Sequence, residues 1–138
     1  MNEKLIDTIF RISRVLRQEM SISSKIARLS LLQLEILIYL KNKNLSKTND
    51  LAKYFHISNP TVSSHLDTMH KIGLIMRKTD SNDRRLIHIL LTKKGHLLLE
   101  EGLRQKNKRM NILLTYISDK DKQQLLQILT NLVNTIEK

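Results

Sequence analysis

The chain has 138 residues, with 24 Lys and Arg against 13 Asp and Glu and a formal net charge of +11 at pH 7. The length suits one domain, and a hydrophobic fraction of 41% excludes a disordered chain. The chain has no Cys, which excludes disulfides, thiol chemistry and thiolate metal sites. Aromatic residues make up only 4%, so we expect an aliphatic core.

Charged residues interrupt the N-terminal segment, and every apolar run is far shorter than the roughly 20 residues that span a bilayer. We therefore expect a soluble, cytoplasmic protein without a membrane partner. Most of the excess positive charge lies between Lys41 and Lys94, where eight Lys and three Arg stand against four Asp. A basic segment of this kind predicts a polyanionic partner. Of the two candidates, nucleic acid and an anionic membrane surface, we expect nucleic acid.

Apolar residues at helical spacing predict a first helix over about Lys4 to Lys25, with one apolar face. A second helix is predicted from Ser30 to about Leu40, because Ser30 and Gln33 have the spacing of a capping box. The apolar face of the first helix consists of Leu5, Ile9, Ile12 and Leu16.

The central segment has the pattern of two helices joined by a tight turn. A short third helix is predicted over about Thr48 to Phe55, with Ser46 or the first residue of the helix as its N-cap. In the fourth helix, Ser58 is a favourable N-cap and Pro60 falls in the first turn, where a missing N–H costs nothing. Gly73 is predicted to end this helix.

Beyond Gly73 the apolar residues alternate, which predicts two strands, 74–78 and 86–91, around a polar tip. The second strand is expected to place Ile87, Ile89 and Leu91 on one face. Two helices follow, from Thr92 to about Ile117 and from Ser118 onward. The apolar face of the last helix consists of Leu125, Leu129, Leu132 and Ile136.

The order of these elements predicts a mostly α fold with a small β-hairpin wing (α+β), a winged helix-turn-helix. A helix fits the DNA major groove, where short polar side chains can reach base edges and phosphates. Arg84 and Arg85 at the hairpin tip can enter a minor groove. With Val62, Leu66 and Met69 facing inward, the outward face of the fourth helix carries Pro60, Ser63, Ser64, Asp67 and Lys71.

Six short motifs follow one another along the chain. They are Leu29-Ser30-Leu31-Leu32-Gln33, Asp50-Leu51-Ala52, Pro60-Thr61-Val62-Ser63, Lys71-Ile72-Gly73-Leu74-Ile75, Asp83-Arg84-Arg85 and Leu91-Thr92-Lys93-Lys94-Gly95. Their order and spacing resemble the multiple-antibiotic-resistance regulator (MarR) family over essentially the whole chain.

The resemblance implies one MarR-like domain, 1–138, with a DNA-binding core at 30–92. Segments 1–29 and 95–138 would supply the helices of an obligate-type helical dimer. The implied function is that of a sequence-specific, double-stranded-DNA-binding transcription regulator. It would be a dimeric repressor that binds a pseudo-palindromic site and needs no cofactor. Many relatives are released from DNA by small molecules, which makes a small-molecule effector a further expectation.

The resemblance also implies a recognition helix over 58–72 and a wing over 75–90, in which Asp83 orients Arg85. Relatives often have Arg where this chain has Ser64 and Thr68, so phosphate contacts are expected to shift to Lys47, Lys53, Lys71 and the wing. His65 stands where Leu is common and is expected to be a half-buried packing residue.

Two sets of candidate site residues follow from the motifs and the resemblance. The DNA-binding set is Lys47, Ser58, Asn59, Pro60, Thr61, Ser63, Ser64, Thr68, Lys71, Asp83, Arg84 and Arg85. The dimerisation set is Leu5, Ile9, Ile12, Leu16, Leu125, Leu129, Leu132 and Ile136.

Other function classes stay open at this point. An RNA- or protein-binding winged-helix assembly module would use the same basic face, and a membrane-surface protein would use the basic first helix. A zinc sensor needs converging ligands, for which His96 and Glu100 are a conceivable pair. An enzyme is not expected, because the sequence has neither a Gly-rich phosphate loop nor an HExxH-type motif. The candidate liners of an effector pocket are Phe10, Tyr39 and Tyr116.

Overall fold

Helical periodicity accounts for most of the architecture. The computed structural model describes residues 1–23, 27–43 and 45–138. Within these ranges the chain forms six helices and two antiparallel pairs of strands, which confirms the predicted mostly α fold with a small hairpin. In chain order the elements are α1 (Asn2–Glu19), β1 (Ile22–Ser23), β2 (Arg28–Leu29), α2 (Leu31–Asn42), α3 (Thr48–Phe55), α4 (Asn59–Lys71), β3 (Ile75–Thr79), β4 (Ile87–Leu91), α5 (Lys93–Leu114) and α6 (Asp119–Ile136).

The chain divides into two compact units, Met1–Arg104 and Gln105–Lys138. The first unit contains α1 to α4, both strand pairs and the N-terminal part of α5. The second unit contains the rest of α5 and all of α6, in which no residue is buried. The helix-turn-helix and the hairpin therefore lie within one unit.

The core of the first unit is aliphatic, as the composition predicts. Helices α2, α3 and α4 each direct Leu side chains into it, together with residues of both strand pairs and of α5. Burial of this apolar surface holds the two helices of the helix-turn-helix against α2. The largest fully buried side chains are Ile22, Leu29, Leu34, Ile36, Leu37, Leu51, Leu66, Met69, Leu74, Ile75, Ile89 and Leu98.

The helix starts are set by side-chain caps. Ser30 Oγ accepts a hydrogen bond from the backbone N–H of Gln33 (3.2 Å), and Gln33 Oε1 accepts from the N–H of Ser30 (3.1 Å), which confirms the capping box. Neither predicted cap of α3 is correct. The N-cap is Lys47, whose backbone N–H donates to Asp50 Oδ2 at 3.1 Å. Asp50 thus supplies the acceptor for the N-cap N–H, which is the second half of a capping box.

The prediction for the end of the first helix is wrong. Helix α1 ends at Glu19, and Ile22 then pairs with Leu29 in the antiparallel pair β1–β2. Both side chains are buried, so tertiary packing overrides the helical periodicity that favoured a longer helix. The predicted endpoint, Lys25, lies outside the described residues.

The wing is the antiparallel pair β3–β4, in register from Ile75↔Leu91 to Thr79↔Ile87. Its strands begin one residue later than predicted, because the N–H of Leu74 still donates to the carbonyl of Met69 at the end of α4 (2.9 Å) and that of Leu86 donates to the carbonyl of Asp83 in the turn (3.1 Å). The unbroken register keeps Ile87, Ile89 and Leu91 on one face of β4, but burial does not alternate with the faces, since Ile87 is 49% exposed while His88 and Ile89 are both buried. Neighbouring strand residues point to opposite faces, so the middle of β4 is covered on both.

Two glycines shape the junction between α4 and the wing. Gly73 has φ +79°, a backbone conformation that favours glycine, and it ends α4 as predicted. Gly95, near the start of α5, allows a close approach, because a Cβ there would collide with the carbonyl oxygen of Leu74. The predicted cap Thr92 joins both, since its Oγ1 donates to the carbonyl of Gly73 and accepts from the N–H of Gly95.

Candidate nucleic-acid interface

A tight turn brings α3 and α4 together. Helix α3 ends at Phe55, and the next residue, His56, turns the chain with a φ of 52°. The N–H of Ile57 donates to the carbonyl of Ala52 at 3.1 Å. Ser58 then caps α4, with its Oγ accepting from the N–H of Thr61 at 3.2 Å. Pro60 lies in the first turn of the helix, as predicted.

The inward and outward faces of α4 are those predicted from its periodicity. Val62, Leu66 and Met69 are buried. Because these three residues fix the rotation of the helix, its polar residues are left in contact with solvent. Among the predicted DNA-binding residues of α4 and its N-cap, Ser63 is half-buried. The exposed ones are Ser58, Asn59, Pro60, Thr61, Ser64, Thr68 and Lys71.

Hydroxyl groups at the start of α4 are pre-arranged. Ser58 Oγ and Thr61 Oγ1 lie 2.8 Å apart and share a hydrogen bond. Further along, Thr68 Oγ1 donates to the carbonyl of Ser64 at 3.2 Å. Each hydroxyl keeps acceptor capacity, and free backbone N–H groups at a helix N-terminus attract anions. This end of α4 can therefore receive a phosphate or the polar edge of a base.

The tip of the wing presents two arginines. Arg84 is exposed, and the Arg85 side chain is 91% exposed. Asp83 Oδ1 accepts from the backbone N–H of Arg85 (3.0 Å) and from its Nε (3.2 Å), so the contact implied by the family resemblance is present. The Arg85 Nη groups remain available beyond this contact for an external acceptor.

A second ion pair joins α4 to the wing. No pattern in the sequence predicts it. Arg77 Nη2 lies 2.7 Å from Asp67 Oδ1, which connects the outward face of α4 to β3. The periodicity of α4 places Asp67 on its outward face but does not predict a partner for it. The two residues are ten positions apart across the Gly73 turn, and only the register of the hairpin brings them together.

A third contact lies within the wing itself. Asp80 Oδ1 accepts from the backbone N–H groups of Asn82 (2.8 Å) and Asp83 (3.0 Å), and Oδ2 lies 2.8 Å from His88 Nε2. These hydrogen bonds, that of His88 first, lower the pKa of the Asp80 carboxyl to about 2. Neither Asp80 nor His88 was among the predicted site residues.

The exposed charge of this region is positive. Two of its carboxylates face arginines, since Asp67 contacts Arg77 and Asp83 contacts Arg85. The exposed cations here include Lys47, Lys53, Lys71, Arg77, Lys78, Arg84 and Arg85. Acidic side chains therefore orient cations here, and the remaining positive charge favours a polyanion.

His65 is half-buried on α4, in accord with the expected packing role. Its Nδ1 lies 3.3 Å from Gln33 Nε2, which links α4 to the capping box of α2. A cavity of about 380 Å³ opens near that capping box, between α1 and α2. It is lined by Arg17, Ser30, Leu31, Leu32 and Glu35 and not by the expected Phe10, Tyr39 and Tyr116.

Two other features bear on the alternatives. Within residues 1–23, 27–43 and 45–138, no group of three or more His, Cys, Asp or Glu is placed to hold a metal ion. In the same ranges, no helix has the length and apolar character to cross a membrane.

The short turn between α3 and α4, the buried face of α4 and the arginine-tipped hairpin define a winged helix-turn-helix. The family model described as MarR family matches residues 29–87. The transcriptional repressor MprA of Escherichia coli (strain K12) is 37% identical over 71 residues, which cover 51% of this chain and 40% of that protein. The helix-turn-helix-type transcriptional regulator YdgJ of Bacillus subtilis (strain 168) is 26% identical over 104 residues, 75% of this chain and 63% of that protein.

Solved structures extend the likeness to nearly the full chain. The transcriptional regulator BldR from Sulfolobus solfataricus superposes with a TM-score of 0.80 at 24% identity, over 97% of this chain and 95% of that one. MepR of S. aureus in complex with DNA has a TM-score of 0.77 at 26% identity, over 95% of this chain and 97% of that one. The chain is therefore similar to MarR-family regulators, and the family model matches its segment 29–87. The chain spans 63% and 40% of the lengths of the relatives YdgJ and MprA.

Proposed function

We propose that the protein is a sequence-specific transcription regulator that binds double-stranded DNA as a homodimeric repressor. The observation that carries this proposal is the exposed, polar and pre-arranged face of α4 next to a wing that ends in two exposed arginines. Helix α4 would read base edges in a major groove, and Arg84 and Arg85 would enter the adjacent minor groove. Lys47, Lys53 and Lys71 would contact phosphates.

The proposed dimer rests on two helices whose apolar faces are exposed in the described part of the chain. Helices α1 and α6 contain no buried residue, although both have an apolar face at helical spacing. Ile9 is 52% exposed and Leu126 is 68% exposed. Exposed apolar faces of this extent are typical of protein interfaces, and a second copy of the chain would cover them. Two-fold symmetry then predicts a pseudo-palindromic site with half-sites about one helical turn apart.

Two finer proposals concern an effector and the place where the protein acts. A small-molecule effector would fit the cavity between α1 and α2, where apolar leucines stand beside Arg17 and Glu35. A regulator of this kind works where the genomic DNA is, which we propose to be the cytoplasm. The relatives named above are regulators, and no catalytic step is proposed for this chain.

A competition experiment separates a DNA regulator from an RNA-binding assembly module. The probe is a fluorescent 30-base-pair duplex DNA with a random centre, and the competitor is a duplex RNA of the same length. B-form and A-form duplexes differ in groove width, so an inserted helix and wing should favour DNA. We expect the RNA to compete poorly. Equal competition by the RNA would contradict the proposed function.

A further inference from the structure

A buried histidine joins the wing tip to the body of the hairpin. His88 lies on β4, opposite Lys78 in the register, and is only 9% exposed. Its Nε2 lies 2.8 Å from Asp80 Oδ2, while the other oxygen of this carboxylate accepts from the N–H groups of Asn82 and Asp83. The Asp80 carboxylate is therefore hydrogen-bonded both to strand β4 and to the wing turn.

The direction of the hydrogen bond follows from the charge of Asp80. A carboxyl whose pKa is lowered to about 2 is ionised at neutral pH and can only accept. His88 Nε2 therefore carries a hydrogen and donates it. The other ring nitrogen, Nδ1, is buried and has no hydrogen-bond partner in the described part of the chain.

The unpaired Nδ1 makes an imidazole a poor choice for filling space. A buried polar atom without a partner lowers stability, whereas Val or Leu would occupy the same strand position without this cost. The feature that distinguishes His88 from such a residue is the hydrogen bond that it donates to Asp80. This bond continues outward, because Asp80 holds the N–H of Asp83 and the Asp83 carboxylate holds Arg85.

We propose that His88 is a positioning residue for DNA binding, which acts through Asp80 to fix the wing turn so that Arg85 projects toward the DNA. His88 does not touch the nucleic acid itself, since it is buried on β4. The inference rests on the proposed function and adds to it a residue outside the binding surface.

Two substitutions separate the hydrogen bond from packing. His88→Gln keeps an N–H donor near the place of Nε2, whereas His88→Leu keeps comparable volume and has no donor. In the DNA-free protein, amide hydrogen exchange followed by NMR should become faster at Asn82 and Asp83 in His88→Leu and stay near wild type in His88→Gln. Equal exchange rates in all three proteins would overturn the link between His88 and the turn.

Affinity for a duplex selected from random DNA tests the consequence. We expect His88→Leu to bind about fivefold more weakly and His88→Gln to bind as the wild type does. Adding His88→Leu to Arg85→Ala should cause no further loss, because both act through the same side chain. An equal loss in His88→Gln, or an additive loss in the double variant, would overturn the proposal. The control is His96→Leu, which removes an exposed histidine of α5 and should leave affinity unchanged.

A fold defect in His88→Leu does not remove the test. Asp80→Ala breaks the same contact from the more exposed side and should give the same faster exchange and weaker binding. A wild-type protein that binds no duplex DNA would refute the proposed function and this inference with it. Normal binding by the wild type, His88→Leu and Asp80→Ala would refute the inference alone.

Discussion

At the wing, two aspartates determine the course of the turn. Asp80 accepts backbone hydrogen bonds from Asn82 and Asp83, and Asp83 in turn accepts from the backbone and the side chain of Arg85. Both carboxylates have the wrong charge to contact DNA. Their role is to accept hydrogen bonds that stabilise the turn and orient Arg85.

Arg85→Ala should weaken DNA binding by about 1–3 kcal/mol, because the variant loses the cation that we place in the minor groove. Fluorescence anisotropy with a selected duplex measures the change. The matched control is Arg11→Ala, which removes the same charge from an exposed position on α1, outside its apolar face. An Arg85→Ala loss no larger than that of the control would mean that the wing does not contact DNA.

The low pKa of Asp80 predicts how stability depends on pH. Its carboxyl has a pKa of about 2 in the folded chain, below its ordinary value of 3.8. A lowered pKa contributes stability above the ordinary value, and this contribution disappears as the pH falls toward 2. The difference in Tm between the wild type and Asp80→Asn, measured by circular dichroism, should therefore be full at pH 7 and shrink below pH 4. A difference that stays constant from pH 7 to pH 2 would contradict the assignment.

Among the elements, helix boundaries that depend on nearby residues could be predicted from the sequence. The start of α2 at Ser30, the start of α4 at Ser58 and its end at Gly73 are set by groups within four positions of the boundary. Caps, a first-turn proline and a terminal glycine act at short range, so the local sequence contains the information.

Elements that depend on distant residues could not be predicted in this way. The end of α1 depends on the pairing of Ile22 with Leu29, and the burial of each β4 residue depends on what covers each side of the hairpin. The same holds for the site. The faces of α4 follow from periodicity, but the contacts Asp67–Arg77 and Asp80–His88 require the register of the wing.

The capping box of α2 is expected to stabilise the start of this helix. Ser30→Ala should lower the free energy of unfolding by about 1 kcal/mol, since the N–H of Gln33 loses its acceptor. Urea denaturation at one fixed protein concentration measures this, because a dimer's apparent stability depends on concentration. Ser81→Ala, in the exposed wing turn, is the comparison and should change little. Equal stability of the wild type and Ser30→Ala would show that the cap is not stabilising.

For the whole molecule, the exposed apolar faces of α1 and α6 are the feature that a single chain leaves unexplained. The predicted dimerisation residues of α6 are all exposed, and the exposed apolar surface also includes Leu126, Ile128 and Val133. Symmetric pairing would cover this surface and place two recognition helices on one duplex. Assembly and DNA recognition are therefore expected to fail together.

Leu129→Asp should dissociate the proposed dimer, because a charge in an apolar interface is costly to bury. Analytical ultracentrifugation should show monomers at a concentration at which the wild type is dimeric, and DNA affinity should fall in parallel. Asn131→Asp introduces the same charge on the opposite side of α6 and is the control. Dimers of unchanged stability in Leu129→Asp would exclude this face of α6 from the interface.

Selection of bound sequences from a pool of random duplex DNA tests the central claim most directly. If a pair of α4 helices reads two major grooves, the enriched sequences should be inverted repeats with half-site centres about 10 base pairs apart. Recovery of sequences without enrichment, or of a single asymmetric element, would contradict the account of a two-fold regulator that reads DNA with α4 and its wing.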